Sequence, residues 1–232
     1  MQDEHLKPAT TEPRTQSQTQ RAAAELRRMI VSNELPAGSN YLETELAGML
    51  DMSRTPVREA TLMLAAQGLL EVRPRRGVRI LSISPDDMEE IYQILTELEC
   101  LAAERVAASG ASAQDLQPLR EATDRMEASL KKDDREGWAA ADEDFHERLV
   151  DLAGSARLKS IISTYNDQVR RARALTLYIR PVPTKSNEDH RALISALEKG
   201  DVQLARKLHR EHRISAKTLM ISLLRKHGFH QV

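Results

Sequence analysis

Between Thr19 and Ile80 the spacing of apolar residues switches from a period near 3.6 to a period of 2, and the breaks between the segments admit few folds. Ala23, Leu26, Ile30 and Val31 recur at helical spacing until Leu35-Pro36-Ala37-Gly38 interrupts them. A short helix is expected over about 43 to 50, then a tight turn at Asp51-Met52, then a longer helix that opens at Ser53, tolerates Pro56 in its first turn and ends at Gly68. From Leu69 to Ile80, β-favouring residues alternate around Arg73-Pro74-Arg75-Arg76-Gly77, which reads as a two-stranded hairpin. Helix, helix, turn, helix and hairpin in that order predict a winged helix-turn-helix over residues 19–82. Residues 1–18 are rich in Thr, Gln, Pro and Glu and are expected to form a disordered tail, because they cannot bury enough surface to offset the entropy of ordering.

Beyond Ser82 the pattern is helical throughout. Ser84-Pro85-Asp86-Asp87 supplies a capping hydroxyl, a proline at the first helical position and first-turn carboxylates. Six helices are expected, over about 86–109, 113–132, 135–152, 156–179, 187–199 and 201–227, with breaks at Gly110, Asp133-Asp134, Gly154-Ser155, Pro181-Val182-Pro183 and Gly200. The fold class is therefore mainly α: a winged helix-turn-helix followed by an antiparallel helical bundle over residues 83–232. An aromatic content of 3% agrees with Leu/Ala-rich helix packing, and 232 residues leave room for two cores. The single cysteine, Cys100, rules out a disulfide framework or a Cys-rich zinc motif and fits a reducing cytoplasm. No apolar run approaches the length of a membrane span, so no membrane partner is expected.

A formal net charge of −1 conceals a local basic surface. In the helix that opens at Ser53, Val57, Ala60, Thr61 and Leu64 share the core face, while Arg54, Thr55, Arg58 and Leu62 point the other way. Arg54 and Arg58 lie one turn apart near the end that enters the major groove in this motif, where a guanidinium can grip guanine O6/N7 or a phosphate. Arg73, Arg75 and Arg76 at the hairpin tip, with Arg79 nearby, suit phosphates or a minor groove. The stretch "LAGMLDMSRTPVREATLMLAAQGLLEVRPRRGVRI" resembles the GntR family of winged helix-turn-helix repressors. The resemblance puts Ser53, Arg54, Thr55 and Arg58 at the recognition helix and Gly77 at the wing-tip glycine. Thr44 stands in the second helix where members related to the fatty-acid regulator carry a DNA-contacting arginine, which implies a different half-site.

Four polar residues sit in apolar stripes of the second half. Asp142 and His146, four apart, share one side of a helix whose stripe is Trp138, Ala141, Phe145, Leu149 and Leu152. His190 lies among Leu193, Ile194 and Leu197, and His212 lies within the stripe of Leu208, Ser215 and Leu219. A lone buried carboxylate is costly, and three imidazoles with a carboxylate suit a divalent metal: zinc first, nickel or manganese as alternatives. The competing reading is a set of independent core histidines hydrogen-bonded to neighbours. His209 falls at the edge of its stripe, and His227 and His230 in the C-terminal tail; none of these is counted as a ligand.

This half resembles the FCD effector domain of the fatty-acid-regulator subfamily, with six helices as in its VanR-like branch. "DEDFHERLVDLAGSARL" matches the Asp-x-x-x-His helix, "EDHRALISALEKGD" the second histidine and His212 the third. The resemblance implies a divalent metal with open positions for a small-molecule effector, an organic acid or another metabolite. Leu95, in "IYQILTELE", stands where many members carry an arginine.

The expected function is a metabolite-responsive transcription regulator, a repressor by the resemblance, that binds operator DNA as a homodimer, since twofold protein symmetry matches a pseudo-palindrome. Two other readings remain at this point. A metal-dependent enzyme could use the same histidines to activate water, although no HExxH helix and no placed second acid or base accompanies them. An effector-independent dimeric DNA-binding protein would use the bundle only to dimerise.

Overall fold

The structure, a computed structural model, describes residues 17–228. The tail expected over residues 1–18 lies outside the described residues except for its end, where Ser17 caps the first helix and Gln18 begins it. The described elements run α1 (Gln18–Val31), β1 (Asn40–Tyr41), α2 (Glu43–Leu50), α3 (Arg54–Ala66), β2 (Leu70–Arg73), β3 (Gly77–Ile80), α4 (Pro85–Ala108), α5 (Gln117–Lys131), α6 (Arg135–Leu152), α7 (Ala156–Thr176), α8 (Thr184–Glu198) and α9 (Val202–Lys226). The caps follow from local chemistry. Ser17 and Gln20 form a reciprocal capping box on α1, and the Ser84 hydroxyl accepts from the backbone N–H groups of Asp86 and Asp87 at the start of α4.

The hairpin is wider than the sequence pattern implied. A third strand, β1, pairs antiparallel with β3, Asn40 opposite Arg79 and Tyr41 opposite Val78, so the sheet order is β1-β3-β2. Two residues carry no readable alternation; only the pairing defines them as a strand. This third strand explains Gly77. Its φ is +79°, and a Cβ there would lie 2.1 Å from the Tyr41 carbonyl oxygen. Gly77→Ala is therefore expected to cost about 2 kcal/mol or more, from a left-handed backbone plus a backbone clash. Chemical denaturation reads the loss, and an unchanged midpoint would contradict the packing of β1 on β3.

Among the described residues, buried apolar side chains form two clusters. One spans Ala22 to Ile80, in which α3 contributes Val57, Ala60 and Leu64. The other spans Met88 to Leu224, where α4 lies along α9, α5 along α6 and α8 along α9. The helix ends differ from expectation by a few residues. At 112–115 a reciprocal Ser112–Asp115 turn delays α5 to Gln117, and α8 begins directly after Pro183. Helix α7 touches both halves. Its Gln168 Nε2 donates to the Gln67 carbonyl at 2.8 Å, its Asp167 accepts from Arg27 Nε at 2.5 Å, and Arg171 donates to the Leu81 carbonyl.

Candidate functional site

The exposed side of α3 and the wing make one basic concavity. Thr44, Arg54, Arg58, Leu62, Arg73, Arg75 and Gly77 line it together, and Thr55 flanks it beside Arg54 and Arg58. Ser53 is the N-cap of α3, yet its hydroxyl makes no capping bond. Arg73 is held by Glu71 at 2.9 Å. Arg54, Arg58, Arg75 and Arg76 make no ion pair among the described residues, and all four are exposed. Guanidinium groups left unpaired at a helix N-terminus and a wing tip can reach phosphates and base edges without first breaking an internal bond.

The second site lies inside the bundle. Asp142 and His146 come from α6, His190 from α8 and His212 from α9, all four buried. One potential ligand atom from each falls within 4.8 Å of the others. His146 Nε2 lies 3.9 Å from Asp142 Oδ2, and His190 Nε2 lies 3.8 Å from Asp142 Oδ1. The His212 Nδ1 edge faces Asp189 at 3.5 Å, which leaves its Nε2 for the centre. The His190 and His212 rings are 4.5 Å apart between centroids, and Phe145 stacks on His190 at 4.0 Å.

Electrostatics prepare this cluster for a cation. Burial alone would neutralise Asp142, but the Arg173 guanidinium, donating to Oδ2 at 2.7 Å, and then the surrounding imidazoles hold its carboxyl well below the usual range. Burial, reinforced by His212, pushes His190 well below its ordinary value; His212 is lowered by burial against the pull of Asp189. Burial thus keeps the His190 and His212 imidazoles neutral beside a charged carboxylate. Among the described residues, His146 Nε2 and both His190 nitrogens are buried without a hydrogen-bond partner. Nitrogens bound to one zinc at about 2.1 Å stand about 3.4 Å apart, so the observed spacing needs only small closure. The residues present fit a divalent metal.

Behind His146 lies a network the sequence reading passed over. Glu99 of α4, 3% exposed, accepts through Oε2 from His146 Nδ1 at 2.9 Å and His209 Nε2 at 3.0 Å. Burial opposes its charge, but Arg213 and then His146 hold it well below the usual carboxylate range. His209, expected at a stripe's edge, is 1% exposed, and burial pushes it down to about 4. The signal for Glu99 was present. It falls on the helical spacing of Tyr92, Leu95, Ala102 and Val106, as Asp142 does in its own helix. Arg173 gave no signal, being one of three arginines in four residues. A cavity of about 150 Å³ between α6 and α7 reaches Glu99 and His146 from solvent.

Comparison with known proteins follows the same division. Residues 18–80 match the family described as "Bacterial regulatory proteins, gntR family", and residues 90–215 match the FCD domain. A regulator in the TAR-I ttuE-ttuC' intergenic region of Agrobacterium vitis is 45% identical over 130 residues, 55% of this chain and 76% of that one. A probable D-xylose utilization operon transcriptional repressor of Paenarthrobacter nicotinovorans is 34% identical over 176 residues, 76% of each chain. In fold, the chain is similar to E. coli McbR/YncC, with a TM-score of 0.76 at 23% identity over 90% of this chain and 99% of that one. These relatives mark a DNA-binding transcription regulator and not an enzyme. The chain belongs to the GntR family of bacterial transcriptional regulators and carries the FCD domain behind its helix-turn-helix.

Proposed function

We propose that this regulator is a metabolite-responsive repressor in which residues 19–82 read operator DNA and residues 83–232 hold a divalent metal, zinc first, together with a small-molecule effector. The observation that carries the reading is the convergence of Asp142, His146, His190 and His212 from three helices, with orphaned nitrogens at its centre. In the other half, Ser53, Arg54, Thr55, Arg58, Arg75, Arg76 and Gly77 would meet the DNA, Arg73 adding charge and Thr44 a neutral contact. An organic-acid effector is supported by Arg213, buried, with Nε lacking a hydrogen-bond partner among the described residues and Nη2 ion-paired to Glu99 at 3.3 Å; a guanidinium from α9 can serve an anion where Leu95 cannot. Helices α4–α9 support the six-helix, VanR-like branch. A cytoplasmic homodimer on a pseudo-palindrome completes the reading. Among the described residues no helix is long and apolar enough to cross a membrane.

Helix α7 supports a route between the halves, because Arg173 grips Asp142 while Asp167 and Gln168 grip Arg27 and Gln67. An effector shifts operator affinity only if it binds the competent and incompetent states differently, by typically about 1–3 kcal/mol of coupling. The test combines native mass spectrometry, for metal and subunit number, with operator titrations in a panel of small organic acids. One metal per chain, a dimer and release by at least one acid are expected. Arg27→Ala should keep metal and acid binding yet shrink the release. A metal-free monomer indifferent to every acid would overturn the reading.

A further inference from the structure

Among the described residues, two candidate cation sets share His146. The first is Asp142, His146, His190 and His212; the second is Glu99, His146 and His209. They ask opposite things of one ring, because the first faces His146 Nε2 and the second faces Nδ1. A buried arginine stands beside each set, Arg173 at 2.7 Å from Asp142 Oδ2 and Arg213 Nη2 at 3.3 Å from Glu99 Oε1, so charge does not separate them. The first set offers four ligands against three in the second, and the ring nitrogens of His146 differ. His146 Nε2 is buried with no partner, whereas Nδ1 has one in Glu99. A carboxylate accepts only, so the hydrogen of each facing imidazole is committed to it, and the other His146 nitrogen keeps its lone pair.

We propose that Glu99 is a positioning residue of the metal site: it fixes His146 with the hydrogen on Nδ1, turns the Nε2 lone pair toward Asp142, and engages His209 so that the cluster takes one ion and not two. This rests on the metal-binding reading above. Carboxylates behind ligating histidines set ring orientation and ligand basicity, and their loss weakens metal binding about 10–100-fold. His209 is then a buried partner of Glu99 and no ligand, which gives its full burial a role.

The test begins with the metal-free full-length protein. Long-range ¹⁵N–¹H spectra of its histidines, with His146 assigned by the loss of its signals in His146→Gln, should show the hydrogen on Nδ1; the bias should vanish in Glu99→Gln. Zinc competition against a chelator should give one ion per chain in wild type and about 10–100-fold weaker binding in Glu99→Gln. His209→Ala should keep one ion per chain. Because Glu99→Gln strands the Arg213 charge, the double variant Glu99→Gln with Arg213→Met separates the two effects, and its zinc affinity should stay low. Hydrogen on Nε2 of His146 in wild type, two ions per chain, an undiminished affinity in Glu99→Gln, or full recovery in the double variant would each overturn the inference while leaving the metal site standing. Wild-type protein that takes up no zinc would overturn both.

Discussion

His190→Ala and His212→Ala are each expected to lose the stoichiometric divalent metal, and with it the dependence of melting temperature on chelator. The wild type should show both. A ligand that binds only the folded chain stabilises it by about 4 kcal/mol at a free concentration a thousandfold above its dissociation constant, so chelation should lower the wild-type melting temperature by several degrees. In the alanine variants the site retains one ligand fewer, from the rings closest to each other, and chelator should change nothing. Acid should act in the same direction as chelator. Metal needs neutral imidazoles, and His190 and His212 are held neutral by burial. In the metal-free fold the sign follows from the depressed histidine values. Between about 6.5, the unfolded value, and the folded value, about 4 for His209, the unfolded chain binds more protons. Stability is therefore complete above the unfolded value and falls as pH drops through that window. Metal analysis by mass spectrometry and melts from pH 8 to 5 check both arms; equal metal content in wild type and variants would return the histidines to the role of hydrogen-bonded core residues. Operator binding should survive in the variants, since α3 belongs to the other buried cluster.

Arg58→Ala should weaken operator binding by about 1–3 kcal/mol and relax preference at one base pair of each half-site, if the side chain reads a base edge. Arg58 is exposed and makes no ion pair among the described residues, so the loss is not offset by releasing an internal partner. Arg75→Ala or Arg76→Ala should act differently. At the wing tip each is suited to a phosphate, so affinity should fall evenly across sequences and the slope of log K against log salt should drop by about 1 per substitution. Titrations of an operator selected from random duplexes, run at several salt concentrations, separate the two behaviours. Arg73→Ala should change least, because a phosphate must compete with Glu71 for its guanidinium. Unchanged affinity and slope in all of these variants would contradict the proposed DNA face.

Much of the fold is written in the spacing of residues. The buried face of α3, Val57, Ala60, Thr61 and Leu64, is the face its apolar period selects, and the caps at Ser84 and Asp134 sit where oxygen-bearing side chains precede apolar runs. Asp142, His146, His190 and His212 stood out for one reason: each interrupts an apolar stripe, and burying a polar group demands a partner. Periodicity gives the direction of a side chain from its own helix axis. It does not say which helix lies opposite, how far away, or how wide the buried arc is.

Those quantities came from the packing of the chain. Helix α9 meets α4, α7 and α8, so its buried arc is broader than one stripe and takes in His209, His212 and Arg213 together. The strand β1 exists because β3 offers it an edge. Arg173 matters because α7 brings it within 2.7 Å of Asp142. The sequence by itself determined the order of the elements, the exposed face of α3 and the four polar residues turned inward. Tertiary structure alone decided that those four converge, that Glu99 binds the other edge of His146, and which imidazole nitrogen is left without a partner, because distances between helices are fixed by side chains filling the space between them, and no single helix carries that information.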